Sequence, residues 1–282
     1  MELSFVIPHR EEGDWLQWTI DGILADYPAS EIIAIEDKPA IGLSYQRHKG
    51  ILKATNEIII CADAHIKLGP GFKAGVLDWF SDPEHEKDIA CFQTRSIEPG
   101  TKRITGCPRF GANLKEIDMK RPFVSQWQYV DTHGLQVANV LGGVYAFRRS
   151  WYLDGLFGIW RFHRAWGKSE QMISLTNYLC GGRNVCLGDI WCAHYFKRHM
   201  KLRPFPLAIP LIRQNWMVIA WGLIDDENRD RIFKILYLGN TSSDYGRKLL
   251  DRTSVIFDIQ SFINTNAVND YSSYRDNFLI TS

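Results

Sequence analysis

Residues 57–65 read Glu-Ile-Ile-Ile-Cys-Ala-Asp-Ala-His, and the rest of the chain is interpreted from this stretch. The apolar, mostly β-branched run 58–61 is typical of a strand buried on both faces of a sheet. It ends near Asp63 and His65, before a Gly-Pro-Gly loop at 69–71 that can continue neither a strand nor a helix. Side chains alternate along an extended segment, so Asp63 and His65 point the same way and could share one divalent ion. A strand-end turn capped by the aspartate would use the same residues.

Strands and helices alternate around this stretch. The pattern predicts strands over 3–7 and 31–35, a helix capped by Asp14, and a second helix over 43–54. Strand, helix, strand, helix, strand at this spacing favours a parallel α/β sheet with right-handed crossovers.

The downstream half is less regular. Residues 98–129 lack clean periodicity and predict long loops with short antiparallel strands. The other expected elements, in chain order, are a helix over 72–80, a strand over 89–94, an apolar run over 137–147, a short helix capped by Ser150, a helix over 170–179, a strand over 184–187 and a loop over 193–196.

Composition excludes several classes of protein. The 282 residues are 45% hydrophobic and 23% charged, which is typical of a globular protein. A net charge of +1 gives no overall attraction to nucleic acid or anionic membrane. No stretch reaches the roughly 18–20 apolar residues of a membrane span, and no signal-peptide pattern is present. The six cysteines form no Cys-x-x-Cys pair, so we expect reduced thiols in a cytoplasmic protein.

Five motifs, in this order, resemble those of one family of enzymes. They are Phe-Val-Ile-Pro-His-Arg-Glu-Glu at 5–12, Asp-Ala-His at 63–65, Gly-Gly-Val-Tyr-Ala at 142–146, Trp-Gly-Lys-Ser-Glu followed by Cys-Gly-Gly at 166–170 and 180–182, and His-Tyr-Phe at 194–196. They resemble GT-A nucleotide-sugar glycosyltransferases, both family 2 enzymes and the catalytic domain of polypeptide N-acetylgalactosaminyltransferases. The resemblance covers roughly residues 3–200. It does not extend to the lectin-type domain and membrane anchor of the animal Golgi enzymes, and so implies a soluble relative of bacterial or viral (phage) type.

The resemblance implies a GT-A (Rossmann-like) α/β fold with a mostly parallel central sheet, helices on its faces and a mainly helical C-terminal extension. It also implies a metal-dependent, hexosyltransferase-type enzyme that transfers a sugar from a UDP-sugar to an acceptor hydroxyl. Asp63, His65 and His194 would then bind Mn²⁺ or Mg²⁺, and two imidazoles would favour Mn²⁺. The ion would neutralise charge on the departing diphosphate.

Further site residues follow from the same resemblance. Residues expected to contact the nucleotide-sugar are Pro8, His9, Glu12, Asp37, Arg47, Asp63, Gly142 and Gly143. Alternatively, Asp37 caps a turn, Arg47 lies on a solvated helix face, and the glycines form a strand bulge.

The expected catalytic residues are Trp166 and an acid that follows it. The family's acid comes directly after two small residues, whereas here Glu170 is displaced by one position and Ser169 stands in the acid's place. Either residue could therefore hold the acid's role, and the stereochemical outcome is left open.

The motifs also suggest a division of the chain. Residues 1–205 would form the glycosyltransferase domain, with a nucleotide-binding half at 1–97 and an acceptor and metal half at 98–205. Residues 206–282 would form a helical extension, with helices over 212–222 and 226–238 and an amphipathic stretch over 249–263.

The acceptor is less well defined. Basic and aromatic residues at 195–205 and basic residues over 95–121 could hold a polyanion, such as a glycan, a lipid-linked sugar or DNA with a hydroxymethylated base. A solvated basic face is the simpler interpretation, given the net charge. Two other functions stay open: a catalytically inactive GT-A-like binding or assembly protein, and a sugar-phosphate nucleotidyltransferase, although residues 8–12 are not a glycine-rich loop.

Overall fold

The computed structural model describes residues 2–118, 121–131, 133–197, 209–230 and 252–280. Its centre is a mixed sheet of eight strands, with three further strands in a smaller sheet and helices on both sides. The strands are β1 (Leu3–His9), β2 (Glu31–Glu36), β3 (Ile58–Ala62), β4 (Ile66–Leu68), β5 (Ile89–Ile97), β6 (Ile104–Phe110), β7 (Ala112–Asp118), β8 (Arg121–Trp127), β9 (Val144–Arg148), β10 (Asn184–His194) and β11 (Leu279–Ile280). The helices are α1 (Asp14–Asp26), α2 (Leu43–Lys53), α3 (Phe72–Trp79), α4 (Ser169–Leu179), α5 (Ile209–Leu223), α6 (Thr253–Asn266) and α7 (Tyr271–Phe278).

The first half of the chain forms the parallel unit that the sequence predicts. Strand β1 lies between β2 and β3 and is parallel to both, with α1 and α2 as the crossovers. Every residue of β3 is buried, which is why it reads as a continuous apolar run.

The second half turns the sheet from parallel to mixed. The strand order is β2-β1-β3-β9-β5-β10-β4, with β6 paired to β5. Strand β9 is antiparallel to both β3 and β5, whereas β10 is parallel to β5. As a result, the start of β9 lies beside the end of β3, with Val144 opposite Ala62.

The small sheet and the C-terminal helices close one side of the molecule. Strand β7 pairs with β8 and with β11, so the end of the described chain joins the middle. Ile219 of α5, Ile259 of α6 and Tyr274 of α7 are fully buried in the same hydrophobic core as Phe147 of β9. Residues 226–230 are helical, and the rest of the predicted helix over 226–238 lies outside the described residues, as do 249–251 of the amphipathic stretch.

Several local expectations are wrong. Residues 98–129 contain the predicted antiparallel strands, but these are three strands of seven residues each, in place of the long loops that were expected between them. Strand β10 continues past residue 187 to His194. Its pairing with β5 shifts register between Leu187 and Trp191, which interrupts the regular alternation of side chains without ending the strand. The predicted strand end and the loop over 193–196 are therefore misplaced, and the apolar run over 137–147 becomes a strand only from Val144, after its two glycines.

The two predicted helix caps also fail. Helix α1 begins at Asp14, with Gly13 in the cap position and no side-chain cap hydrogen bond. Ser150 makes no cap bond either, because its hydroxyl donates to the carboxylate of Glu57. Across the described ranges, none of the helices is both long and apolar enough to cross a membrane.

Candidate active site

A cavity of about 350 Å³ opens where the ends of β1, β3 and β10 meet the start of β9. The carboxyl ends of strands in α/β sheets are where such folds bind ligands. The residues lining the cavity come from many separate parts of the chain. They are Pro8, Glu12, Leu43, Asp63, Ala64, His65, Trp127, Leu141, Gly142, Gly143, Tyr145, Trp166, Glu170, His194, Phe196 and Lys197.

Three of these residues form a group that could hold a metal ion. Asp63 and His65 follow β3, and His194 ends β10, so side chains 131 positions apart in sequence meet in space. One potential ligand atom from each lies within 4.8 Å of the others. In the described part of the chain, no other group of three or more His, Cys, Asp or Glu side chains meets this condition.

The carboxylate of Asp63 is held ionised. Its Oδ1 accepts a hydrogen bond from Arg47 Nη2 at 2.7 Å, and its Oδ2 lies 3.2 Å from His194 Nε2. Burial alone would raise the pKa of Asp63, but the hydrogen bond with His194 and the charge of Arg47 outweigh it and hold that pKa well below its usual range. Burial lowers the pKa of His194, which favours the neutral imidazole that a metal ligand requires.

Glu12 lies beside this cluster, in the loop after β1. Its Oε2 accepts from Nδ1 of His65 at 2.9 Å and from Nζ of Lys197 at 2.6 Å. Burial would raise the pKa of Glu12, but the hydrogen bonds from His65 and Lys197 and the charge of Lys197 outweigh it, so that the pKa of Glu12 is lowered. Glu12 is therefore an ionised acceptor shared by two donors.

The pair Gly142-Gly143 lies directly against the metal-ligand group. The carbonyl of Gly143 accepts from the backbone N–H of Asp63 at 2.8 Å. A Cβ at position 143 would lie 2.8 Å from Cδ2 of His194 and 3.0 Å from Oδ2 of Asp63, and the residue has φ +81°. Both the space and the backbone conformation therefore require glycine there.

Glu170 lies on the first turn of α4 and lines this cavity from the other side. Its Oε1 accepts from the hydroxyl of Tyr145 at 3.0 Å and its Oε2 from the hydroxyl of Ser169 at 2.8 Å. Ser169 itself is buried and does not line this cavity. Trp166 does line it and is 43% exposed.

A second cavity of about 430 Å³ adjoins the first and shares Asp63, Trp166 and Glu170 with it. Arg47 and Ser169 line this second cavity. Arg47 is 3% exposed, so it is not on a solvated helix face.

Two predicted nucleotide-contacting residues, His9 and Asp37, lie outside both cavity linings. Oδ1 of Asp37 accepts from the N–H groups of Ile41 and Gly42 at 3.1 and 3.0 Å and from Gln46 Nε2 at 3.1 Å. It thus holds the loop before α2. His9 adjoins it, because its carbonyl accepts from the Asp37 N–H at 2.8 Å.

No site role was predicted for Tyr145 or Trp127, and Phe196 and Lys197 were predicted only as part of the basic and aromatic stretch at 195–205, yet all four line the cavity. For Tyr145 a signal was available, because it comes two residues after Gly143 in the Gly-Gly-Val-Tyr-Ala motif. No local pattern pointed to Trp127, because strand β8, whose bounds were not predicted, brings it to the site.

Comparison with known proteins places the fold in its class. No protein-family model matches the sequence, and no curated protein matches it. A solved structure of GalNAc-T7 with UDP, GalNAc and Mn²⁺ is similar with a TM-score of 0.73 and 15% identity, over 98% of this chain and 57% of that one. Residues 1–349 of S. aureus TarS in complex with UDP-GlcNAc are similar with a TM-score of 0.50 and 12% identity, over 84% of this chain and 71% of that one.

These likenesses define the class of the fold, because the identities are too low to carry more. The chain has the GT-A fold of nucleotide-sugar glycosyltransferases, with a mixed sheet flanked by helices and a helical C-terminal part. It spans 57% of the GalNAc-T7 chain, and 43% of a longer S. aureus TarS chain that it matches with a TM-score of 0.51.

Proposed function

We propose that this protein is a metal-dependent glycosyltransferase that moves a sugar from a UDP-sugar to an acceptor hydroxyl. One observation carries the proposal: Asp63, His65 and His194 converge at the edge of the sheet, in a cavity that also contains Gly143 and Glu170. The solved structures with this fold support the donor class, since one holds UDP, GalNAc and Mn²⁺ and another UDP-GlcNAc.

The residues present suit a divalent transition metal. One carboxylate oxygen and two imidazole nitrogens form a donor set that fits Mn²⁺ better than Mg²⁺, which prefers oxygen ligands. Asp63, His65 and His194 would hold the ion, whose charge would stabilise the departing diphosphate. Because Asp63 is ionised, it need not lose a proton before binding the ion.

The remaining cavity residues would bind and orient the sugar. Glycine at 143 lets the backbone approach Asp63 and His194 closely, where a Cβ would crowd both side chains. Arg47 holds Asp63 by an ion pair and thereby fixes its carboxylate plane. Nucleotide contact by Pro8 and Glu12, which line the cavity, and by His9 and Asp37, which lie outside its lining, is part of the same proposal.

Glu170 is the acid that we propose acts on hydroxyl groups in the cavity, with Ser169 as its support. Glu170 lines both cavities, whereas the Ser169 hydroxyl donates to it. A carboxylate held by two hydroxyl donors is fixed in place and can still accept a hydrogen bond from a sugar or acceptor hydroxyl.

A thermal-shift experiment tests this function. UDP, UDP-sugars and the corresponding GDP compounds would each be added with Mn²⁺, Mg²⁺ or EDTA. A ligand at 100 times its Kd stabilises by about 2.7 kcal/mol, which raises Tm measurably. We expect UDP and UDP-sugars to raise Tm with Mn²⁺, less with Mg²⁺ and not with EDTA. Equal shifts with and without EDTA would contradict the metal site, and the absence of any nucleotide-dependent shift would contradict the donor class.

A further inference from the structure

Glu12 connects two parts of the sheet across the metal-ligand group. It follows β1, whereas Lys197 follows β10, and three strands separate β1 from β10 in the sheet order. One oxygen of Glu12 accepts from both His65 and Lys197. The side chains of Glu12, His65 and Lys197 are only 7%, 11% and 15% exposed, so water competes little for these bonds.

We propose that Glu12 is a positioning residue that fixes the tautomer and ring orientation of His65. The proposal rests on the metal site of the proposed function. Glu12 holds the N–H of His65 at Nδ1, so that Nε2 carries the lone pair for a divalent ion.

The chemistry of the two groups leads to this assignment. A neutral imidazole has one N–H donor and one acceptor nitrogen, and an ionised carboxylate is only an acceptor. At 2.9 Å from Oε2 of Glu12, Nδ1 of His65 must therefore be the donor. A carboxylate behind a histidine ligand orients the ring and raises its basicity, and losing such a partner typically lowers metal affinity about 10- to 100-fold.

Lys197 provides the contrast that separates positioning from tethering. It bonds to the same oxygen of Glu12, so its removal breaks the link between the two strand ends but leaves the bond to His65. If Glu12 only held the loops together, losing Lys197 would do comparable harm. If Glu12 acts through His65, only changes at Glu12 lower the affinity of the site for the metal ion.

The experiment measures Mn²⁺ affinity of the whole chain by isothermal titration calorimetry, without any sugar donor. The variants are Glu12→Ala, Glu12→Gln, Lys197→Met and Glu11→Ala. Glu11 is the matched control, because it is an exposed acid next to Glu12 whose removal changes the net charge equally. Glu12→Gln keeps an oxygen that can accept from His65.

We expect Glu12→Ala to raise the Kd for Mn²⁺ about 10- to 100-fold. Glu12→Gln should cause a clearly smaller rise, and Lys197→Met and Glu11→Ala should stay close to the wild type. A Glu12→Ala variant that binds Mn²⁺ as tightly as the wild type would overturn the inference and leave the metal site intact. Equal losses in Glu12→Ala and Lys197→Met would overturn it in favour of a tether. If the wild type binds no Mn²⁺, the metal site of the proposed function fails first.

The tautomer gives a second readout that does not depend on the ion. Nitrogen-15 NMR of the imidazoles should show His65 protonated at Nδ1 in the wild type and in Lys197→Met. In Glu12→Gln the same tautomer should persist, because the amide oxygen still accepts. His65 protonated at Nε2 in the wild type would refute the proposal even if every variant folds.

Discussion

At the scale of single residues, position 143 shows how closely the backbone approaches the metal-ligand group. Gly143 has φ +81°, and a Cβ there would press on His194 and Asp63. We expect Gly143→Ala to destabilise the fold by about 1–2 kcal/mol through its left-handed conformation. It should also raise the Kd for Mn²⁺ at least about tenfold, because the two ligands must move apart. Denaturant unfolding and Mn²⁺ titration measure the two effects separately.

Gly134→Ala is the matched control for that substitution. Gly134 has φ +68°, and a Cβ there would meet only Trp79, at 3.5 Å, which is ordinary contact. Its backbone cost should equal that of Gly143→Ala, while Mn²⁺ binding stays unchanged. If the Kd for Mn²⁺ rose equally in both variants, backbone strain rather than crowding of the ligands would be the cause.

The neighbouring residues Ser169 and Glu170 separate in the same way. We expect Glu170→Gln to lower kcat for UDP-sugar turnover about 10²- to 10⁴-fold, the range for a lost acid–base group. Ser169→Ala removes one hydrogen bond to Glu170 and should lower kcat only about tenfold. Both variants should bind Mn²⁺ normally. The opposite order, with Ser169→Ala the more damaged enzyme, would assign the acid's place to Ser169.

At the scale of elements, helix α2 connects the core to the site. It carries Arg47, which bonds to Asp63, and one turn later Gly50, which faces β1. A Cβ at position 50 would overlap Cγ1 of Val6 and lie 3.2 Å from Ile35. We expect Gly50→Ala to destabilise the protein by about 1–3 kcal/mol through overpacking, despite the better helix propensity of alanine.

Gly22 of α1 is the control for this element. Nothing lies within 4 Å of a Cβ built there. Gly22→Ala should therefore stabilise the protein by about 0.5–1 kcal/mol. Urea unfolding of both variants at one pH gives the two signs. A stabilised Gly50→Ala would mean that α2 can move away from β1.

The elements also show what the sequence could predict. The parallel unit over β1, β2 and β3 was predictable because its strands are buried on both faces and its helices are amphipathic. The metal-ligand group was predictable in part, since Asp63 and His65 are close in sequence. His194 could be added only through the order of motifs, because it comes from another strand.

Other features depend on contacts between distant segments, which no local pattern encodes. The ion pair of Arg47 with Asp63 joins a helix to a strand end, and Glu12 meets Lys197 across three strands. Strand β4 has only three residues and is defined by its pairing with β10. Strand β7 pairs with both β8 and β11. Because these pairings stabilise the small sheet, the sequences of β7 and β8 show only a weak alternation of apolar and polar residues.

At the scale of the whole molecule, buried histidines make stability depend on pH. Burial, together with the charges of Arg47, Arg252 and Arg164, lowers the pKa of His163 to about 3. Its Nε2 donates to the carbonyl of Gly167 at 2.7 Å, and its Nδ1 has no hydrogen-bond partner among the described residues. In the folded state this histidine is therefore neutral at every pH well above 3.

The sign of the pH effect follows from this depressed pKa. Between the unfolded value near 6.5 and the folded value near 3, the unfolded chain binds a proton that the folded protein does not. The stability that His163 contributes is thus fully present above pH 6.5 and is lost as pH falls towards 3. Between pH 7.5 and pH 5 this single group accounts for about 2 kcal/mol.

We therefore expect urea unfolding to show a larger loss of stability between pH 7.5 and pH 5 in the wild type than in His163→Gln, by about 2 kcal/mol. Glutamine can still donate to Gly167 but does not titrate, so its variant has a lower stability at pH 7.5 and a flatter pH profile. His133→Gln is the control for the loss of an imidazole as such, since the His133 side chain is 40% exposed. A wild-type slope that His163→Gln does not reduce would mean that acid acts elsewhere, with His48 as the next candidate because burial lowers its pKa to about 4.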